Sequence, residues 1–341
     1  MKQLDLTHKG SFLAVCALLF VSSTISASAQ TVTATIPAQE GSLGLPLTIA
    51  VNPLTQLVYI AGNGVEVVNQ RTNTPVTTID IGQNQLSGIA INPVTRKLYV
   101  TDYSTGLYVV DLTSNSIVGQ FPLSVAYSVT YSPLTNRTYT LDNYGNIWVN
   151  DGTTDALIKE IAAPAQNGGP GSTITINPAT NLLYIPLQTS PGALEVVNAI
   201  TNSITTVPLK GSNGCCAAVD PLRNIIYVSD LYINPIEPSE QEGQMEVVNG
   251  ATNKDTAVIT GIPILPEGLS VDPLTRLVYL SNANGNVYVI NGTTNTLTST
   301  VIPVGTNPIY STIDLAHELL YVGNTAEFQP GTQSVSVINL K

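Results

Sequence analysis

The sequence predicts an all-β fold: a seven-bladed β-propeller of four-stranded antiparallel blades, with the last blade closed by the N-terminal strand. Three observations predict it. A proline followed six residues later by a tyrosine recurs along the chain, at Pro53/Tyr59, Pro93/Tyr99, Pro133/Tyr139, Pro178/Tyr184, Pro221/Tyr227 and Pro273/Tyr279, and a seventh copy keeps Tyr321 behind Leu315. The tyrosines are 40, 40, 45, 43, 52 and 42 residues apart, the period of a propeller blade at about 40–45 residues. Finally, the seventh copy stops at Leu340-Lys341, one strand short, while Thr31 to Pro37 resembles the fourth strand Thr296 to Pro303. A strand supplied from the other end closes the ring and removes the exposed edges of an open array.

The clearest copy, Val271 to Pro303, shows how each element arises. A strand end runs into the turn Asp272-Pro273-Leu274-Thr275, an alternating strand follows over Leu277 to Leu280, and Gly285-Asn286 turns the chain into Val287 to Ile290. Asn291 to Asn295 then lead to the fourth strand, Thr296 to Ile302. Short alternating runs separated by polar turns are the signature of an antiparallel sheet. The third strands end on Asn69, Asp111, Asp151, Asn198, Asn249, Asn291 and Asn339, and in six copies a second Asn or Asp follows four residues later. These side chains bond the local backbone and tolerate left-handed conformations, as tight turns require. Blade three departs most, with Thr138 and Asn150 at aliphatic positions and the single tryptophan, Trp148.

Residues 1–29 read as a signal peptide: Lys2 and Lys9, an apolar core from Phe12 to Val21, and Ala27-Ser28-Ala29 as the cleavage site. The apolar run falls short of the roughly 20 residues that span a bilayer. The propeller domain is therefore expected over 30–341, extracytoplasmic (periplasmic or secreted), soluble, without a membrane anchor, and monomeric. The leader's net +1 (Lys2, Lys9, Asp5) leaves the remainder at −12, against −11 for the whole chain. Such acidity disfavours tight binding to nucleic acid, which depends on Lys and Arg displacing counterions.

The repeat resembles that of the YVTN-type β-propellers, exported proteins that include the YncE-like periplasmic group. Leu98-Tyr99-Val100-Thr101-Asp102, Ile226-Tyr227-Val228-Ser229-Asp230 and Val278-Tyr279-Leu280-Ser281-Asn282 carry the likeness, with the Asn-Pro or Asp-Pro turns before them and Ile302-Pro303-Val304-Gly305-Thr306-Asn307-Pro308. The resemblance implies the fold across the whole chain after the leader, and single-stranded DNA binding for the YncE-like group.

The loops joining second to third strands, and those linking blades, are expected to share a ligand face. Asp102, Asp142, Asp230, Asn282 and Asn324 stand three residues after their repeat tyrosines, at the second-strand ends on that face. They are candidate ligand-binding residues, for Ca²⁺ through oxygen ligands or for a polar ligand, or else turn residues bonding their own backbone. No other cofactor and no definite metal is implied. The stretch Ser229 to Gly243, with Tyr232 and several carboxylates, reads as a long loop suited to a lid or docking arm; the Gly/Pro-rich stretch Pro164 to Gly171 reads as a linker. Glu66, Glu195 and Glu246 share one third-strand position with aromatics, which suggests a partly exposed sheet face. Cys215-Cys216 opens the innermost strand of blade five and is either a vicinal disulfide or a pair of buried thiols.

Catalytic signals are few. After the leader the only histidine is His317, in a turn on the opposite face, and no phosphate loop or nucleophile elbow appears. The function expected is a binding or scaffold module for a protein, peptide or polar small molecule at the loop face. A carboxylate-based hydrolase or lyase at the channel mouth is the alternative, and YncE-like DNA binding a third reading.

Overall fold

Hydrogen-bonded pairing sorts the chain into seven sheets of four antiparallel strands. The computed structural model describes residues 30–37, 48–62, 64–82, 86–162, 169–233, 237, 239, 241–325 and 333–341; the signal-peptide residues lie outside these. Among the described residues every regular element is a strand. Six sheets take their strands in chain order, and the seventh takes Thr31–Pro37 as its fourth strand, antiparallel to Ser334–Asn339. Thr31 faces Asn339 and Pro37 faces Ser334, so the ring closes as the sequence predicts.

The first strand of each sheet touches the first strands of its two neighbours and lines the axis. The fourth strands, such as Ser116–Phe121, are largely exposed at the rim. Seven apolar clusters fill the seven gaps between adjacent blades. The repeat tyrosines are the largest buried side chains in these gaps, none more than 2% exposed. Each packs on the following blade: Tyr99 donates to Gly152 O and Asp155 Oδ1 of blade three at 3.3 and 3.2 Å, and Tyr279 accepts from Gln30 Nε2 at 2.9 Å. The strongest sequence landmark is thus the blade-to-blade wedge.

Turn chemistry follows the sequence. Asn73, Asn115, Asp155, Asn202, Asn253 and Asn295 are all left-handed, with φ between 52° and 65°. The third-strand cap accepts backbone donors, as when Asp151 Oδ1 takes Thr153 and Thr154 N–H at 2.9 Å each. In the first turn the left-handed position is Asn in three blades, and Gln56, Arg96, Arg276 or Glu318 in the others. Blade three buries its polar substitutions, Thr138 and Asn150; Asn150 Nδ2 bonds Asp155 O at 3.1 Å, while Thr138 Oγ1 and Asn150 Oδ1 have no hydrogen-bond partner.

Two expectations are corrected. Ser229 to Gly243 is mostly strand: Ile225–Ile233 and Gln241–Asn249 pair without interruption from Ile233/Gln241 down, so blade five rises as a two-stranded ribbon. Residues 234–236, 238 and 240 at its tip lie outside the described set. Of the third-strand glutamates only Glu66 is partly exposed; Glu195 and Glu246 are 2% and 0% exposed between blades. Of the Pro164 to Gly171 linker, only Gly169 to Gly171 is described; Pro170 bridges Leu187 and Gly171 N bonds Pro186 O at 2.7 Å.

Candidate functional site at the axial mouth

Innermost strands carry irregularities near the end where they meet the loop face. In blades two, three, five, six and seven the register shifts there, after Leu86, Ala126, Ser212, Pro266 and Pro308. A bulge leaves a residue outside the ladder and re-aims its side chain. Counting back fifteen residues from the five caps, and from Leu187 at the matching position of blade four, names the register: Ser87, Tyr127, Ser172, Cys215, Glu267 and Ile309. One position of the repeat thus meets the axis in six blades with six different neighbourhoods.

Within this ring polar groups converge. Cys215 Sγ lies 3.2 Å from Cys216 Sγ, 3.3 Å from Glu267 Oε2 and 3.7 Å from Ser172 Oγ. Ser172 stands beside the Tyr127 and Tyr310 phenols, and burial drives both phenols above their ordinary range. Burial likewise raises the Glu267 carboxyl, opposed by the hydrogen bond from Cys215. The bond between the thiols, then burial, holds Cys216 well above an ordinary thiol. Ser229 Oγ ties the inner strands by donating to Glu267 O at 2.9 Å, and Tyr103 tilts against Tyr127 with ring centroids 6.2 Å apart. No bond joins the two sulfurs in this structure, where both cysteines are free.

The predicted cap residues are not gathered into one site. Asp102 Oδ1 accepts Ser104 N, Thr105 N and Thr105 Oγ1 at 2.8–2.9 Å within its own hairpin. Asp142 accepts Tyr144 N and Asn146 N at 2.9 Å, with Asn146 Nδ2 and Trp148 Nε1 on its second oxygen at 3.0 and 3.1 Å. Asn282 donates to Pro263 O at 2.9 Å, and Asn324 donates to Ser334 and Ser336 hydroxyls. All four are at most 3% exposed. Tyr232, by contrast, is 43% exposed on the blade-five ribbon. Among the described residues no group of three or more His, Cys, Asp or Glu is placed to hold a metal ion.

Asp230 differs from the other caps. It is 1% exposed and neither oxygen makes a hydrogen bond of ordinary geometry. Its cross-strand neighbour Gln244 donates instead to Glu246 Oε1, which also accepts Lys210 N and Gly211 N at 2.9 and 2.8 Å. Burial, then the Glu246 charge, pushes the Asp230 carboxyl up to about 9. Glu246 itself is raised to about 7, by burial first and then by Asp255, whose carboxylate pairs with Lys210 Nζ at 2.7 Å. Elsewhere, a groove of about 210 Å³ between blades two and three is lined by Tyr99, Phe121 and Asp155, away from the axis.

Sequence reasoning named Cys215 and Cys216 but missed Tyr127, Ser172, Glu267 and Tyr310. For Tyr127, Ser172 and Glu267 the fixed offset of fifteen was the available signal, and Tyr310 stands one residue beyond it. The residue type at that offset changes from blade to blade, so no motif drew attention to it.

No protein-family model matches the sequence, and no curated protein matches it. Solved structures do. A chain of Kuenenia stuttgartiensis hydrazine synthase superposes with a TM-score of 0.76 at 15% identity, over 89% of this chain and 97% of that one. The RRP9 WD40 repeats give 0.75 at 10% identity over 92% and 99%, and U3-55K gives 0.73 at 11% over 90% and 98%. At such identities the likeness is one of fold.

Proposed function

We propose that the protein is a binding and scaffold module whose loop face receives a protein segment, with a peptide or polar small molecule as the smaller forms of the same ligand. One observation carries this reading. On that face, buried caps hold the hairpins while tyrosines beside them stand out: Tyr103, Tyr144 and Tyr232 are 39%, 69% and 43% exposed. Exposed aromatics on rigid hairpins suit the anchors of protein interfaces, because they bring large contact area at little entropic cost. The WD40-repeat propeller among the structural neighbours supports a scaffold role, since propellers commonly serve as interaction platforms. Assignment to the YVTN-type, YncE-like group rests on the repeat residues themselves. Export to an extracytoplasmic compartment and a monomeric state complete the proposal.

The test is a random-peptide library panned on the immobilised protein, with affinities of enriched peptides read by fluorescence anisotropy. Replacing Tyr103, Tyr144 and Tyr232 together by alanine should weaken binding by about tenfold or more and leave the melting temperature unchanged. Undiminished affinity in that variant refutes the reading. So does a failure to enrich peptides alongside salt-sensitive capture of single-stranded DNA.

A further inference from the structure

We propose that Cys215 and Cys216 form a thiol-oxidation site at the axial mouth, which takes small-molecule disulfides as its oxidant and closes to an intramolecular ring. Neighbouring side chains on a regular strand point to opposite faces, which would keep two adjacent sulfurs apart. Here the register shift between Ser212 and Cys216 breaks that alternation, and the sulfurs lie 3.2 Å apart on one side. The bulge takes Cys215 out of its own sheet's ladder, and its carbonyl accepts Ser172 N–H at 2.7 Å from the neighbouring blade instead.

The two thiols have distinct roles. Cys215 is partly exposed and Cys216 is 1% exposed, so an incoming disulfide meets Cys215. Its thiolate attacks one sulfur of the oxidant, forming a mixed disulfide and expelling the first small thiolate. Cys216 then attacks the Cys215 sulfur and expels the second. Two protein thiols lose two electrons, one small disulfide becomes two thiols, and the two protons released from the cysteines end on those thiols. Closing the ring removes the Sγ–H donor that Cys215 offers Glu267 at 3.3 Å, leaving that carboxyl as a changed polar group facing the axis. A ring of this kind is strained and hence readily reduced, so the site cycles.

The experiment uses a Cys16→Ser background, which leaves the pair as the only thiols of a three-cysteine chain. The folded protein is treated with glutathione disulfide at pH 8, then alkylated and weighed intact. The expected product is a monomer lighter by two hydrogens, without retained glutathione or alkyl groups, and restored by a small reductant. Cys216→Ser should instead keep one glutathione, and Cys215→Ser should react about tenfold more slowly or less, because its remaining thiol is buried. A wild-type pair that still alkylates twice, retains glutathione, or forms disulfide-linked dimers overturns the proposal. The wild-type mass decides this even where a serine variant folds poorly.

Discussion

Asp230→Asn should flatten the fall of stability with rising pH. The side chain is 1% exposed, its oxygens lack hydrogen bonds of ordinary geometry, and burial and the Glu246 charge outweigh the neighbouring Gln244 amide to push its carboxyl up to about 9, against about 3.9 in an unfolded chain. Between those values the folded protein holds a proton that the unfolded chain has released. Stability from this group is therefore complete below about pH 4 and is lost progressively as pH rises toward about 9. From pH 6 to pH 8 the loss is two units at about 1.4 kcal/mol each, or roughly 2.7 kcal/mol. With an unfolding entropy near 2.1 cal/mol/K per residue over roughly 310 residues, that is a drop of about 4 °C in Tm. Asparagine keeps the shape and cannot ionise. Glu246, raised to about 7 by burial and Asp255, adds a decline of its own in the lower half of this range, common to the two proteins. Melting curves by circular dichroism at pH 6, 7 and 8 should therefore show Tm falling about 4 °C further in the wild type than in the variant. Parallel declines in the two proteins would refute the reasoning, since they would mean Asp230 is ionised or hydrated in the fold.

Three further outcomes follow from particular bonds. Asp142→Ala removes the acceptor for two backbone amides, Asn146 Nδ2 and Trp148 Nε1; unfolding should cost about 2–4 kcal/mol less, and the emission of the single tryptophan should shift in the folded protein. Tyr99→Phe should lose about 1 kcal/mol with its bonds to Gly152 and Asp155, whereas Tyr184→Phe should be neutral or stabilising, because that hydroxyl is buried without a well-formed partner; urea titration of both variants compares them. Arg96→Asn, at φ 54°, should gain about 0.5–1 kcal/mol by placing a residue suited to the left-handed region, read as a higher urea midpoint with an unchanged slope.

The fold was legible because the repeat writes the same physical requirement seven times. Tyr59, Tyr99, Tyr139, Tyr184, Tyr227, Tyr279 and Tyr321 each fill a gap to the next blade, and the Asn/Asp residues four past the third strands each adopt the left-handed turn. What the sequence left hidden depends on single departures from that repetition. Ser229 to Gly243 reads as a loop because its Pro, Glu and Gln residues lack alternation, but continued ladder bonding carries both strands upward. Glu195 and Glu246 read as partly exposed because their position mixes charged and aromatic residues, and only the packing of blade on blade shows them buried. Asp102, Asp142 and Asp230 look alike in sequence. The first two are bonded in their hairpins, and the third is stranded among carboxylates because blade five lengthens past it.

That contrast indicates where specificity resides in such a ring. A position that repeats its residue type is answering a demand common to all blades, and such demands concern packing and turns. The axial register does the opposite. Its backbone geometry recurs as a bulge in five blades, while the residues there, Ser87, Tyr127, Cys215, Glu267 and Ile309, are all of different types. Burying a thiol pair, a carboxyl with a raised proton affinity and two phenols at one mouth brings the fold no packing advantage over the aliphatic residue that blade seven places there. Groups that cost stability and differ from blade to blade answer no demand of packing, and here they stand beside the exposed Tyr103, whose ring lies 6.2 Å from that of Tyr127.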